Sequence, residues 1–262
     1  MSNKVSDQSL AIDGTNSSID YLNKRIDSAE NSFSGDISSV KKSVSDLESK
    51  TGESLSSIQG QLGGVSDFVQ QSLDSTVRVK SFSPGKTATG SGAIITSQGY
   101  IVTNNHVVEN ASSIEVKTYD NKIFSARLIG RIVSPDLAVL KIDGNFQPLK
   151  FEQSLTNIKT GSEVAALGSP SGLDFTVTKG VVSAPLRLID SVKYIQIDTP
   201  VNPGNSGGPI INKAGRIIGI VTSKLAGEGL EGLGFAIRSD TVKDNVKVFI
   251  QNDKGETKEL DA

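Results

Sequence analysis

Tyr100-Ile101-Val102-Thr103-Asn104-Asn105-His106-Val107-Val108 passes from four residues of strand character into a polar pair and then the one histidine of the chain. Outward from this stretch the apolar residues recur with a period of two. Short β-rich runs precede and follow it at 76–81, 92–96, 100–103, 113–118, 122–129 and 137–142. After a polar gap come 163–167, 175–183, 194–197, 209–211, 216–223 and 233–237. Turn chemistry separates them, as at Ser97-Gln98-Gly99, Asp120-Asn121 and Asn212-Lys213-Ala214-Gly215. Short strands in such number, with no long helix between them, predict a mainly β fold, a sandwich or a pair of barrels. A linker near 144–160 divides the runs six and six, into two six-stranded antiparallel β-barrels at about 76–145 and 160–240. Val242, Val246 and Phe249 predict one short closing helix, so the β-rich domain extends over 76–250 and leaves a charged tail at 251–262.

The first 75 residues read differently. They hold 19 serines and no proline, and their apolar residues step by three and four. Ile19, Leu22, Ile26, Ala29 and Phe33 lead into Ile37, Val40, Val44 and Leu47, then Leu55, Ile58, Leu62, Val65 and Val69. Extra four-residue steps at 33–37 and 51–55 are stutters that unwind a left-handed coil. The stripe is narrow, with Ser, Asp, Lys and Asn on the other faces, which is the pattern of a coiled-coil seam. Against it stand the serine content and Gly35, Gly52, Gly60, Gly63 and Gly64, each worth about 1 kcal/mol of helix relative to alanine. Residues 1–75 therefore read as a helical coiled-coil oligomerisation segment or as a largely disordered stalk.

Composition excludes several function classes. Charged residues are 21% and the net charge is −2, which gives no reason to expect nucleic acid or an anionic membrane as partner. No cysteine and a single histidine exclude disulfides, thiolate metal sites and the usual zinc clusters, so neither metal nor cofactor is expected. No run of about eighteen apolar residues is present, so no span of a bilayer is expected. The N-terminus lacks the basic start and apolar stretch of a signal peptide.

Three short stretches carry candidate chemistry. Gly204-Asn205-Ser206-Gly207-Gly208 surrounds a serine with glycines that let backbone N–H groups converge on one point. A serine hydroxyl needs a base and a stabilised oxyanion to act as a nucleophile; alone, the pentapeptide also fits a glycine-rich turn. His106 stands just past a strand, where it could face a cleft or be structural. Ser134-Pro135-Asp136-Leu137-Ala138-Val139-Leu140 sets an aspartate at the mouth of a very apolar strand, a place that also suits a turn or cap. The order His, Asp, Ser, with the first two in one strand group and the third in the other, matches the chymotrypsin arrangement and not that of subtilisin or the α/β-hydrolases.

These stretches, with Gly90-Ser91-Gly92-Ala93-Ile94-Ile95, Gly168-Ser169-Pro170-Ser171-Gly172, Thr176–Ser183, Gln196-Ile197-Asp198-Thr199, Gly219-Ile220-Val221-Thr222 and Gly234-Phe235-Ala236-Ile237, closely resemble the HtrA (Deg) family of trypsin-like serine proteases over about residues 76–245. The resemblance implies an endopeptidase with Ser206 as nucleophile, His106 as general base and Asp136 orienting the imidazole. It implies an oxyanion hole of the Gly204 and Ser206 N–H groups, with Thr222, Ser223 and Lys224 beside the substrate backbone and primary pocket. Unfolded proteins or peptides are the implied substrates, a homotrimer joined through the N-terminal segment the implied assembly, and an extracytoplasmic or cell-surface site the implied location. A latent or non-catalytic, chaperone-like holdase that binds unfolded chains in the same cleft is the alternative.

No acidic residue lies between Thr199 and Ser206, where trypsin carries its basic-selective aspartate, so cleavage after small or medium aliphatic residues is expected. Asp198 reads as structural. Two departures stand out. The 25 residues after Ile237 are too few for the PDZ domains of most relatives, and Lys224 occupies a position that is often apolar. Gly227-Glu228-Gly229-Leu230-Glu231-Gly232 fits a dinucleotide fingerprint but has no βαβ unit around it, and reads as a loop between strands.

Overall fold

The computed structural model describes residues 23–28, 33–47, 65–169, 175–202, 204–222 and 233–254. The chain divides into two units, Met1–Ile58 and Gln59–Ala262.

In the second unit a helix α1 (Val65–Leu73) precedes thirteen strands. The first seven are β1 (Thr76–Ser83), β2 (Lys86–Ile94), β3 (Tyr100–Thr103), β4 (Ser113–Thr118), β5 (Ile123–Ser125), β6 (Arg127–Ile132) and β7 (Leu137–Lys141), with a single helical turn α2 (Asn105–Val108) after β3. They form one antiparallel sheet in the order β5-β4-β1-β2-β3-β7-β6. The other six are β8 (Glu163–Gly168), β9 (Thr176–Ile189), β10 (Val192–Ile197), β11 (Pro209–Ile211), β12 (Ile217–Thr222) and β13 (Gly234–Arg238). They close into a barrel, β10-β13-β12-β11-β8-β9. Helix α3 (Ser239–Lys254) follows.

Where two six-stranded barrels are expected, the structure has one closed six-stranded barrel and a curled seven-stranded sheet. The extra strand comes from the run 122–129, which bends at Ala126. Its first half pairs with β4 and its second half with β7. The two edges of the sheet are therefore consecutive pieces of one segment, and the chain itself joins them. β9 runs six residues past the expected end at Ser183. Pro185 is tolerated because the pairing steps from Arg187↔Tyr194 to Ala184↔Gln196, a bulge that removes the need for its missing N–H.

Period-two alternation sorts side chains between two sides of each strand. Ile94, Ile101, Ala138 and Leu140 fill the inside of the first sheet with Val77, Val79 and Val116. Their neighbours Ala93, Tyr100, Val102, Leu137 and Val139 face outward, yet they are buried too. They meet Leu167, Ile211, Ile217, Ile220 and Ile237 of the barrel in one apolar seam. Each fully buried Ile or Leu contributes about 1.5–3 kcal/mol, so the seam fixes the two sheets against each other.

Helix α3 lays Val242, Val246 and Ile250, spaced by four, on this seam. Phe249 covers Gly130, where an added Cβ would lie 2.7 Å from ring atoms. The expected closing helix therefore runs to Lys254, and the tail begins later than residue 251. Asp253 accounts for the last turn. Its carboxylate accepts from the Tyr100 hydroxyl at 2.8 Å and from Arg127 Nη1 at 2.9 Å. Arg127, and next Tyr100, hold this carboxyl below the usual range. A lowered pKa means that the contact stabilises the fold above the usual carboxylate value of about 3.9 and is lost as pH falls through the lowered value. Asp253→Asn should lower the melting temperature at pH 7, and the gap from the parent should close in acid; a gap that stays constant to acid pH contradicts the contact.

The boundary expected at residue 75 falls earlier. Val69 belongs to the seam of the β domain, as does Leu73, and both are buried there. These two positions of the apolar stripe are therefore covered by their own chain. In the first unit, residues 23–28 and 33–47 are helical. Ile26, Phe33, Ile37, Val40, Val44 and Leu47 are all exposed in the single chain, Phe33 by 70% and Leu47 by 67%. Ile19, Leu22, Ala29, Leu55, Ile58 and Leu62, and the side chain of Val65, lie outside the described residues. No helix among the described residues is long and apolar enough to cross a membrane.

Candidate active site

The histidine follows β3 because Thr103 and Asn104 end the ladder and α2 begins at once. Asp136 stands just before β7, which pairs with β3 through Thr103↔Ala138. This register brings the aspartate beside the histidine. Asp136 adopts φ +70°, a left-handed conformation that costs a non-glycine residue about 1–3 kcal/mol. Its neighbours hold it there. The Asp136 carbonyl accepts from Asn104 Nδ2 at 3.0 Å and from Asn105 N at 3.2 Å. Its Oδ1 accepts from His106 N at 3.0 Å. Its Oδ2 lies 2.7 Å from His106 Nδ1 and accepts from Thr222 Oγ1 at 3.3 Å.

Asp136 is 4% exposed, and the His106 side chain keeps 26% of its surface. An ionised carboxylate only accepts hydrogen bonds, so the proton of a neutral imidazole sits on Nδ1. Nε2 is then left with a lone pair able to take a proton. The charge of Asp136 is felt nearby: burial first, and that charge second, push the Tyr194 phenol up.

Ser206 lies in the loop between β10 and β11, and two elements clamp it. Its carbonyl accepts from Ser91 N of β2 at 2.8 Å. On the other side Gly207 N donates to Val221 O, and Val221 N to Gly208 O, each at 2.9 Å. Gly207, at φ +85°, presses against Ser91 O, Thr103 Oγ1 and the Asn104 amide, with no room for a side chain. The Ser206–Gly207 backbone thus abuts the segment that ends in His106, although a hundred residues separate them. The amides of Asn205, Gly207 and Gly208 are committed to Asn202 O, Val221 O and Asn205 O. Gly204, at φ +104°, uses a conformation that glycine reaches without strain.

Thr222 is buried, with its hydroxyl on Asp136. Ser223, Lys224 and the 227–232 glycine loop lie outside the described residues. Asp198 is engaged locally, its Oδ1 accepting from Val181 N at 2.6 Å, and it packs against Gly180. Among the described residues no group of three or more His, Cys, Asp or Glu could hold a metal ion. Sequence reasoning missed the contacts of Thr222, Asn104 and Asn105 with Asp136. Their only advance signal was adjacency to a candidate residue.

Residues 90–220, half of the chain, match the trypsin-like peptidase domain. The chain belongs to the trypsin-like peptidases. Its relatives place it, within them, in the HtrA (DegP-like) family. It is 39% identical over 224 residues to the serine protease Do-like HtrA of Bacillus subtilis, covering 80% of this chain and 48% of that one. It is 45% identical over 159 residues to a probable periplasmic serine endoprotease DegP-like of Pseudomonas savastanoi, covering 59% and 33%. The crystal structure of the serine endoprotease from Yersinia pestis superposes with a TM-score of 0.66 at 34% identity, covering 72% of this chain and 67% of that one. The chain spans a third to a half of the length of these curated relatives.

Proposed function

We propose that the β domain is a serine endopeptidase acting on unfolded or damaged protein chains. The observation that carries this reading is the two-point grip of Asp136 on His106, at the backbone amide and at Nδ1. That grip leaves Nε2 as a base beside the loop that bears Ser206. In this reading Ser206 Oγ attacks the scissile carbonyl while His106 Nε2 takes its proton. The C–N bond then breaks, the proton passes to the leaving amine, and water cleaves the acyl-enzyme by the same route. The N–H groups of Gly204 and Ser206 receive the oxyanion, each such donor contributing about 3–4 kcal/mol. Thr222 to Lys224 line the substrate strand, and an uncharged pocket takes small or medium aliphatic side chains.

Casein should be digested, a serine-directed fluorophosphonate should abolish the digestion, and most new termini should follow Val, Ala, Leu or Ile. Casein that is bound but left intact by the untreated protein would favour the holdase reading.

The exposed apolar stripe from Ile26 to Leu47 supports a second proposal, that the N-terminal helices associate between chains as a homotrimer. Light scattering should give three times the mass of one chain; a monomer contradicts it. The periplasmic designation of the Pseudomonas relative supports a location outside the cytoplasm, which digestion by protease added to intact cells would check.

A further inference from the structure

Ser91 lies in β2, on the opposite side of the seam from the Ser206 loop, and is 0% exposed. Its hydrogen-bonding atoms reach partners in both halves of the β domain. Ser91 N donates to Ser206 O at 2.8 Å. Ser91 Oγ donates to Gly204 O at 2.6 Å and accepts from Ser169 N at 2.9 Å. Ser91 O accepts from Thr103 Oγ1 at 2.7 Å. One residue of the first sheet therefore reaches the Ser206 loop twice, the end of β8 and the strand that leads to His106. The flanking glycines permit the approach. A Cβ on Gly90 would lie 2.9 Å from Ser206 O and 2.6 Å from Val107, and one on Gly92 would lie 2.8 Å from Ile101.

We infer that the Ser91 hydroxyl is a positioning residue for the oxyanion loop, an inference that rests on the proteolytic reading above. Gly204 O belongs to the peptide plane between the two proposed oxyanion donors, the N–H groups of Gly204 and Ser206. Gly204 has no side chain to limit rotation of that plane, and its φ of +104° shows the freedom in use. The hydroxyl pins the plane from one side. Because Oγ also holds the Ser169 amide, its own rotamer is fixed, with its proton directed to Gly204 O. Ser91 touches neither substrate nor reacting atoms; it acts through the orientation of the two amides.

The test compares Ser91→Ala and Ser91→Cys with the parent on a peptide substrate, per folded molecule by circular dichroism. Both variants should lose about 10- to 100-fold in kcat, a part of the loss on removing an oxyanion donor outright. KM should change less than about twofold, because the interaction matters only when the oxyanion forms. Amide exchange at Ser169 should quicken in both. A purely structural role would lower the melting temperature and leave kcat per folded molecule within twofold of the parent, and that result overturns the inference. If the parent itself cleaves nothing, the proteolytic reading fails. Exchange at Ser169 then still decides the Ser91 hydroxyl contact: unchanged exchange in Ser91→Ala removes it.

Discussion

Replacing Ser206 by alanine is expected to lower kcat on casein by about a million-fold while the fold survives. The scale follows from the way a nucleophile and its base act as one unit, so that losing either removes nearly the whole covalent route. The fold should survive because the side chain is small and the loop is held by its backbone. Ser91 N to Ser206 O, Gly207 N to Val221 O and Val221 N to Gly208 O all remain in the variant. Steady-state kinetics, with circular dichroism to confirm folding, checks both halves. A folded variant that keeps more than a per cent of the parental rate contradicts the assignment of Ser206.

Asp136→Asn should lower kcat by about ten-thousand-fold with little change in fold. Both carboxylate oxygens accept from His106, Oδ1 from the main-chain amide and Oδ2 beside Nδ1, with Thr222 Oγ1 also on Oδ2. An asparagine has one acceptor oxygen. If that oxygen stays on the His106 amide, the NH2 group faces Nδ1 and the ring must shift its proton to Nε2, where a base is needed. If the amide turns over, the main-chain N–H of His106 loses its partner. Thr222 can follow either choice by rotating its hydroxyl, so the damage falls on the histidine. A variant within tenfold of the parent would show that Asp136 holds the backbone and not the tautomer.

The parts of this molecule that sequence made legible are those governed by local periodicity. Strands 100–103, 113–118 and 209–211 fall at the expected bounds, because a period of two with turn residues on either side is a property of the segment itself. The bend at Ala126 was not legible, since both halves keep the same alternation and only the partner strand changes. Extension of β9 through Pro185 depends on a bulge set by β10, which proline reading alone treats as a stop. Val69 fits a helical stripe equally well whether a second chain or its own barrel covers it, and only the packing of α1 separates the two.

The site shows the same limit. His106, Asp136 and Ser206 could be singled out because their residue types and order are unusual. Ser91 stood in a quoted motif without a role, because its hydroxyl meets Gly204, 113 residues away. The left-handed φ of Asp136 left no trace in composition either. Contacts that close through tertiary structure carry no periodic signal.

The most direct measurement is to treat the protein with a fluorophosphonate and locate the adduct by peptide mass spectrometry. A single adduct on Ser206 is expected, and none in His106→Ala, where the base is gone. An adduct elsewhere, or equal labelling of the His106→Ala variant, would contradict the account.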